Sequence, residues 1–177
     1  MEVVNDILIP ALDSAGKLFE QGKIFLPQLI QTASVAQAAF EVIKTTLIER
    51  NAAPVSRGEI VLATVKGDIH DIGKNIVRVL LENYGYTVLD LGRDVPCQLV
   101  ADTAKEHGVK LVGLSALMTT TLGAMEETIQ LVKASCPDCK IVVGGAVLTA
   151  DYAEKIGADY YAKDAMETVA VAKEVVG

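Results

Sequence analysis

The chain has 177 residues, 51% hydrophobic and 22% charged, a composition that buries a core and excludes disorder, in one domain with a small appendage. Its 23 acidic residues against 16 basic ones, for a net charge of -7, exclude nucleic acid as a main partner, because phosphate binding needs a basic face. Aromatic residues at 5% and the absence of Trp argue against a stacking surface, no apolar run is long enough to span a membrane, and three cysteines do not make a disulfide framework, so the expected location is a reducing cytoplasm.

Residues 1 to 52 read as helix. Val4, Ile7, Leu8, Leu12, Ala15, Leu18 and Phe19 recur at helical spacing, and Gly22 closes the run. A second helix starts near Pro27, with Leu29, Ile30, Ala33, Ala36, Ala39, Phe40, Ile43 and Leu47 as its apolar positions. Two helices bury little by themselves, so they must pack on something else. Residues 53 to 58 hold the Pro and Gly of a linker. From Glu59 to Gly177 the chain alternates strand and helix. Strands are expected at Ile60–Val65, Thr87–Leu91, Leu111–Ser115, Ile141–Val143 and Ala158–Tyr161, and helices at Gly73–Asn83, Pro96–His107, Leu122–Ala134, Thr149–Ile156 and Ala165–Val175. Regular βα alternation with apolar strands predicts an α/β, flavodoxin-like (Rossmann-like) parallel sheet of order 2-1-3-4-5. Ligands of such a sheet sit beyond the C-terminal strand ends, where the order reverses.

The loop after the first strand reads Lys66-Gly67-Asp68-Ile69-His70-Asp71-Ile72-Gly73. Asp68 and His70, two apart in an extended loop, put their side chains on one side. The carboxylate then accepts the proton of one imidazole nitrogen and leaves the other to ligate a metal. A lone D-x-H in a loop is most often a surface pair or a helix cap, and one His with no second ligand makes a poor zinc site. It suits a metal that brings its own ligands in a macrocycle. At the same sheet end, Ser115-Ala-Leu117-Met-Thr119-Thr-Thr121 clusters hydroxyls after strand three, one of them able to cap the next helix. Gly144-Gly145 follows strand four, either as a tight turn or to let something lie flat on the backbone.

Together, Asp68-x-His70-x-x-Gly73, Ser115-x-Leu117 and Gly144-Gly145 resemble the domain that binds cobalamin in its base-off, His-on form. The segment from Gly16 to Gln28 resembles the helical cap of corrinoid methyl carriers, so the likeness covers the chain. It is strongest to the cobalamin-binding module of methionine synthase, with corrinoid proteins of methanol and methylamine metabolism second. The resemblance implies that His70 is the lower axial ligand of cobalt, that Asp68 holds its imidazole, and that Thr121 completes a proton relay where the family commonly has Ser. It implies that Ser115 and Thr119 line the slot for the dimethylbenzimidazole tail, with Gly144 and Gly145 letting the tail pass. Gly67, Ile69, Asp71, Gly73 and Leu117 would border the cofactor, Ala165 would touch its nucleotide end, and Phe25 and Val35 would shield a methyl group on its upper face. It further implies methylcobalamin as the cofactor, a cobalt cycling between methylated Co(III) and Co(I), and proton uptake by the His–Asp–Thr relay as the cobalt–His bond is lost.

The implied role is a methyl carrier in methionine biosynthesis, an incomplete enzyme by itself. Its partners would be methyl-donor and methyl-acceptor methyltransferase domains or subunits and a reductive activation protein. Alternatives are a corrinoid protein of methanol or methylamine methyltransferase systems, a radical mutase domain, which would lack the helical cap, or a cobalamin-dependent sensor, whose cap often carries Trp. The family's cap is a four-helix bundle, and this chain has room for about two such helices, so uncovered apolar faces are expected to drive self-association or leave the cap mobile. Cys97, the Cys136-Pro-Asp-Cys139 pair and His107 read as packing or helix-end residues rather than as a second site.

Overall fold

The computed structural model describes residues 4–49 and 56–177. The expected boundary between cap and linker, at residues 52 and 53, lies outside them.

Five parallel strands form one sheet in the order β2-β1-β3-β4-β5. They are β1 (Glu59–Thr64), β2 (Thr87–Asp90), β3 (Leu111–Ser115), β4 (Lys140–Gly144) and β5 (Tyr160–Tyr161). Val65, expected inside β1, instead makes an isolated parallel bridge to Val95, which carries the pairing just past the strand ends. The fifth strand is shorter than expected. Ala158 turns back to hydrogen-bond the carbonyl of Ala153, and only the two tyrosines pair with β4.

Alternation along the strands builds two cores. Val61, Ala63 and Val65 face a core shared with α4 (Cys97–His107), α5 (Leu122–Ser135) and α6 (Ala150–Lys155). Ile60 and Leu62 face the other core, shared with α3 (Ile72–Asn83) and α7 (Ala165–Val175). Both sheet faces are covered, as apolar parallel strands require.

Two further helices, α1 (Ile9–Glu20) and α2 (Leu26–Glu49), form the cap. The run expected as one helix from Val4 starts instead with a π-helical turn at Val4–Leu8. Pro10 has no N–H to donate to the carbonyl of Asp6, so the regular ladder begins at Ile9 with Pro10 in its first turn. Gly22 ends that run in the left-handed region, and the side chain of Gln28 caps α2 by accepting the Phe25 N–H at 2.7 Å. Leu12, Ala15, Leu29, Ala33 and Ala36 are buried in one cluster with Leu80, Leu81 and Tyr84 of the α3 side and Val169 and Ala172 of α7. The cap thus lies on the α3–α7 flank of the sheet. Of its other expected apolar positions, Ile7, Leu18 and Ile30 are exposed, and the side chains of Val4, Phe40 and Leu47 fall outside the described residues.

Candidate cofactor site

The carboxyl ends of β1, β3 and β4 open onto a cavity of about 700 Å³, large enough for a substantial ligand. His70, Ile69, Asp71 and Gly73 form one wall, Ser115 and Leu117 another, and Gly144, Gly145 and Ala165 a third. Three loops distant in sequence converge there because the sheet order reverses between β1 and β3.

Asp68 organises the near end. Its side chain is fully buried and accepts five hydrogen bonds. Oδ1 takes the His70 backbone N–H at 3.0 Å and His70 Nδ1 at 2.8 Å. Oδ2 takes the backbone N–H groups of Leu117 at 2.7 Å and Met118 at 3.1 Å, and the Thr121 hydroxyl at 3.1 Å. Burial works against the charge, but the donors from Leu117, His70 and Met118 outweigh it and hold this carboxyl well below the usual carboxylate range. An ionised Asp68 keeps the proton on Nδ1. His70 Nε2, with no hydrogen-bond partner among the described residues, is then the ring atom free to bind a metal.

The three side chains expected to form a relay are hydrogen-bonded in series, with Thr121 buried behind Asp68. Ser115 lines the cavity and shares a 2.8 Å hydrogen bond with Thr64. Thr119 is exposed at the start of a 3₁₀ turn and does not line the cavity. Gly67 lies behind the His70 loop, in a turn closed by the Asp68 N–H on the Val65 carbonyl, at a φ of 84° that favours glycine. Neither Phe25 nor Val35 borders the cavity. Phe25 is 67% exposed, and Val35, 68% exposed, lines a smaller hollow between α1 and α2.

The two adjacent glycines have a nearer cause than a ligand. A Cβ on Gly145 would lie 1.8 Å from the carbonyl oxygen of Ala116, and one on Gly144 would lie 3.0 Å from that of Ala162. The backbone they must accommodate is the protein's own, where the β3 and β4 loops and β5 close on one another. Gly73 is the opposite case. It lines the cavity, and a Cβ there would meet nothing within 4 Å.

The loop after β2 was not singled out from the sequence, although Asp90-Leu-Gly92-Arg93-Asp94 carries the Asp and Gly signals of a turn. Asp94 Oδ1 accepts the Gly67 N–H at 2.7 Å, and the Asp94 N–H donates to the Asp68 carbonyl at 2.9 Å. Buried Lys74 on α3 pairs with Asp90 at 2.5 Å and reaches the cavity wall, as does Arg93. The cysteines lie apart from this chemistry. All three are free, Cys97 is packed with its thiol on the Ala124 carbonyl, and burial pushes Cys139 up to about 12. His107 pairs with Glu59, whose strand begins at the opposite sheet end.

The donor set is one imidazole, with no cluster of three or more His, Cys, Asp or Glu side chains fit for a metal among the described residues. Beside it lies a cavity of about 700 Å³ whose wall is bare backbone at Gly73. These features define a Rossmann-like domain that presents one axial ligand to a metal cofactor supplying its remaining ligands, and cobalamin fits them. The chain belongs to the B12-binding family: the B12 binding domain matches residues 58–170, and a second model of the same description matches residues 1–44. It is 43% identical to dimethylamine corrinoid protein 1 of Methanosarcina acetivorans, over 99% of this chain and 83% of that protein. It is 39% identical to trimethylamine corrinoid protein 1 of the same organism, over 99% of this chain and 82% of that one. Among solved structures, a cobalamin-binding protein from Desulfitobacterium hafniense superposes with a TM-score of 0.77 at 34% identity, over 99% of this chain and 90% of that one. The methanol:cobalamin methyltransferase complex of Methanosarcina barkeri gives 0.84 at 30%, over 99% and 67%. The expected alternative, a corrinoid protein of methylamine or methanol systems, is what these relatives favour. They give no support to the methionine synthase type or to methionine biosynthesis.

Proposed function

We propose that this protein is the cytoplasmic corrinoid methyl carrier of a methylamine-type methyltransferase system. The observation that carries this reading is 43% identity to a dimethylamine corrinoid protein across 99% of the chain, cap helices included. The Asp68–His70–Thr121 arrangement supports it, since it holds an imidazole ready as an axial ligand. Bound cobalamin supplies a cobalt centre that takes up and gives up a methyl group. The protein's own part is to hold Nε2 of His70 toward the metal and to keep the Nδ1 proton on the Asp68 side. Thr121 helps keep the carboxylate ionised, so that if the imidazole were released its freed Nε2 could take up a proton, with Asp68 balancing the imidazolium charge. Ser115, Leu117, Gly144, Gly145 and Ala165, which line the cavity, would form the slot for the nucleotide tail, without Thr119. Phe25 and Val35 shield the upper face once the cap shifts toward the cavity, a movement that would break the contacts of Asp13 with Lys173 and of Gly16 with Met166. The methyl donor enters through a separate methyltransferase subunit, and a second subunit takes the methyl group away.

The test begins with hydroxocobalamin loading, gel filtration and an absorption spectrum for wild type and His70→Ala. Wild type should retain cobalamin with a spectrum that depends on His70. Methylation of the reduced, loaded protein should then proceed with a dimethylamine or trimethylamine methyltransferase in preference to the folate-dependent activity of methionine synthase. Failure to retain cobalamin, or methylation by the folate-dependent enzyme alone, would overturn the proposal.

A further inference from the structure

The His70 loop begins with a tight turn. The Asp68 N–H closes it on the Val65 carbonyl at 3.0 Å, with Gly67 in the third position. Such a turn leaves the N–H of that third residue unpaired and the carbonyl of its last residue facing outward. One residue satisfies both. Asp94 accepts the Gly67 N–H on its carboxylate at 2.7 Å and donates its own N–H to the Asp68 carbonyl at 2.9 Å. It does so at φ 53°, and it is the one non-glycine residue with positive φ among the described residues. Aspartate is among the few non-glycine residues that tolerate that region, and here both its carboxylate and its N–H are engaged there. Its own loop is anchored in turn. Asp90 accepts the Gly92 N–H at 2.9 Å and the ammonium of buried Lys74, four residues beyond His70. The β2 loop is thus pinned to the turn that carries Asp68 and to the helix that follows His70.

We infer that Asp94 is a positioning residue for axial ligation: by clamping both polar groups of the Gly67–Asp68 segment it fixes where Asp68 holds the His70 ring. It touches neither the ring nor the cavity. Its effect is carried through the backbone of Asp68, and the inference rests on the cobalamin reading given above.

The test uses the full chain loaded with cobalamin and reduced to the cob(II)alamin state. Electron paramagnetic resonance there reports an axial nitrogen as a superhyperfine splitting, and histidine labelled with nitrogen-15 distinguishes His70 from the cofactor's own dimethylbenzimidazole, so ligated and unligated fractions can be counted directly. Asp94→Gly suits the positive φ and keeps the backbone N–H on Asp68, but it removes the carboxylate clamp. Asp94→Asn keeps an oxygen acceptor and tolerates the left-handed region. Residues that orient a metal-ligating His commonly change binding by 10–100-fold, so Asp94→Gly is expected to lower the ligated-to-unligated ratio by about tenfold. Asp94→Asn should restore most of it, while all three proteins melt within a few degrees of one another and retain cobalamin. A purely structural role would move the melting temperature and leave the ratio in the folded protein unchanged. An unchanged ratio in Asp94→Gly overturns the inference while leaving cobalamin binding intact. A wild type without the nitrogen splitting overturns the reading beneath it, and the inference with it.

Discussion

A carboxylate with no exposed surface needs donors, and Asp68 has five from four residues, only one of which is the histidine it orients. The backbone of the β3 loop is therefore part of the ligand's support. The glycines around this site divide by what they face, and two substitutions separate them. Gly145→Ala drives a methyl into the Ala116 carbonyl at a φ of 138°, so it should destabilise by about 3 kcal/mol or prevent folding, as overpacking against rigid backbone does. Gly73→Ala meets open space inside the first turn of α3, where alanine is favoured over glycine by up to about 1 kcal/mol. That variant should melt at or above the wild-type temperature yet retain less cobalamin, because the methyl occupies the cavity wall. Urea unfolding and cofactor retention, measured on both variants, check the contrast. Equal cobalamin retention by Gly73→Ala and wild type would mean that Gly73 does not face the cofactor.

Among the elements, α3 is tied to the end of β2 by the Lys74–Asp90 pair. Lys74 is only 2% exposed, while Arg78 reaches the other carboxylate oxygen at 3.3 Å from a more open position. Burial opposes ionisation of Asp90, but Lys74, the Gly92 N–H and Arg78 together hold its carboxyl below the ordinary value. Lys74→Met leaves a half-compensated buried carboxylate. It should cost about 3 kcal/mol, the low end for breaking a buried pair, because Arg78 and Gly92 remain. The pH dependence has a definite sign. Below the ordinary carboxylate value of about 4 the unfolded chain binds this proton while the native state does not, so native stability falls with falling pH and is lost through the lowered native value. In Lys74→Met that acid-side slope should flatten, and unfolding midpoints measured between about pH 3 and 7 would detect it. This pair also marks the limit of what the sequence discloses. Continuous apolar runs alternating with helical spacing point to five strands, and the βα alternation to their order, since burial on both faces leaves a pattern in residue type. Asp68 and His70 are legible from their spacing in the loop after the first strand, whereas Thr121 is reached only through the family resemblance. Asp94 is not legible, because an exposed acidic loop residue looks the same whether it faces water or clamps a backbone turn, and nor is Asp90, a strand-end acid whose partner Lys74 lies on another element. Nor does Gly144-Gly145 reveal that its close neighbours are carbonyls of this chain.

For the molecule as a whole, the cap docks on one flank of the sheet domain. Among the described residues, its buried contribution to the α3–α7 flank is two leucines, Leu12 and Leu29, and three alanines, Ala15, Ala33 and Ala36, with Phe19 and Ile24 partly buried against the same cluster. The Asp13–Lys173 ion pair beside them is partly exposed and adds at most about 1 kcal/mol. A buried leucine contributes about 2–3 kcal/mol by transfer and an alanine much less, so of the buried, described cap residues the two leucines contribute most. The sheet, by contrast, is buried between two cores and does not need the cap to cover β3 or β4 on the α4–α5 side. Leu29→Ala, at a position 2% exposed, should cost about 2–4 kcal/mol, most of it from cap docking. Stability is then expected to separate into two cooperative units. Amide exchange in α1 and α2 should accelerate at least about tenfold, while exchange in β1, β3 and β4 stays at the wild-type rate, since a loss of 1.4 kcal/mol in local opening already equals tenfold. If the strands accelerate by the same factor, cap and sheet open together and the cap cannot move without unfolding the domain. If only the helices accelerate, they can leave the α3–α7 flank while the Asp68–His70–Thr121 arrangement stays formed, which is what a carrier must do if it shields its cofactor at one moment and presents it to a methyltransferase at the next.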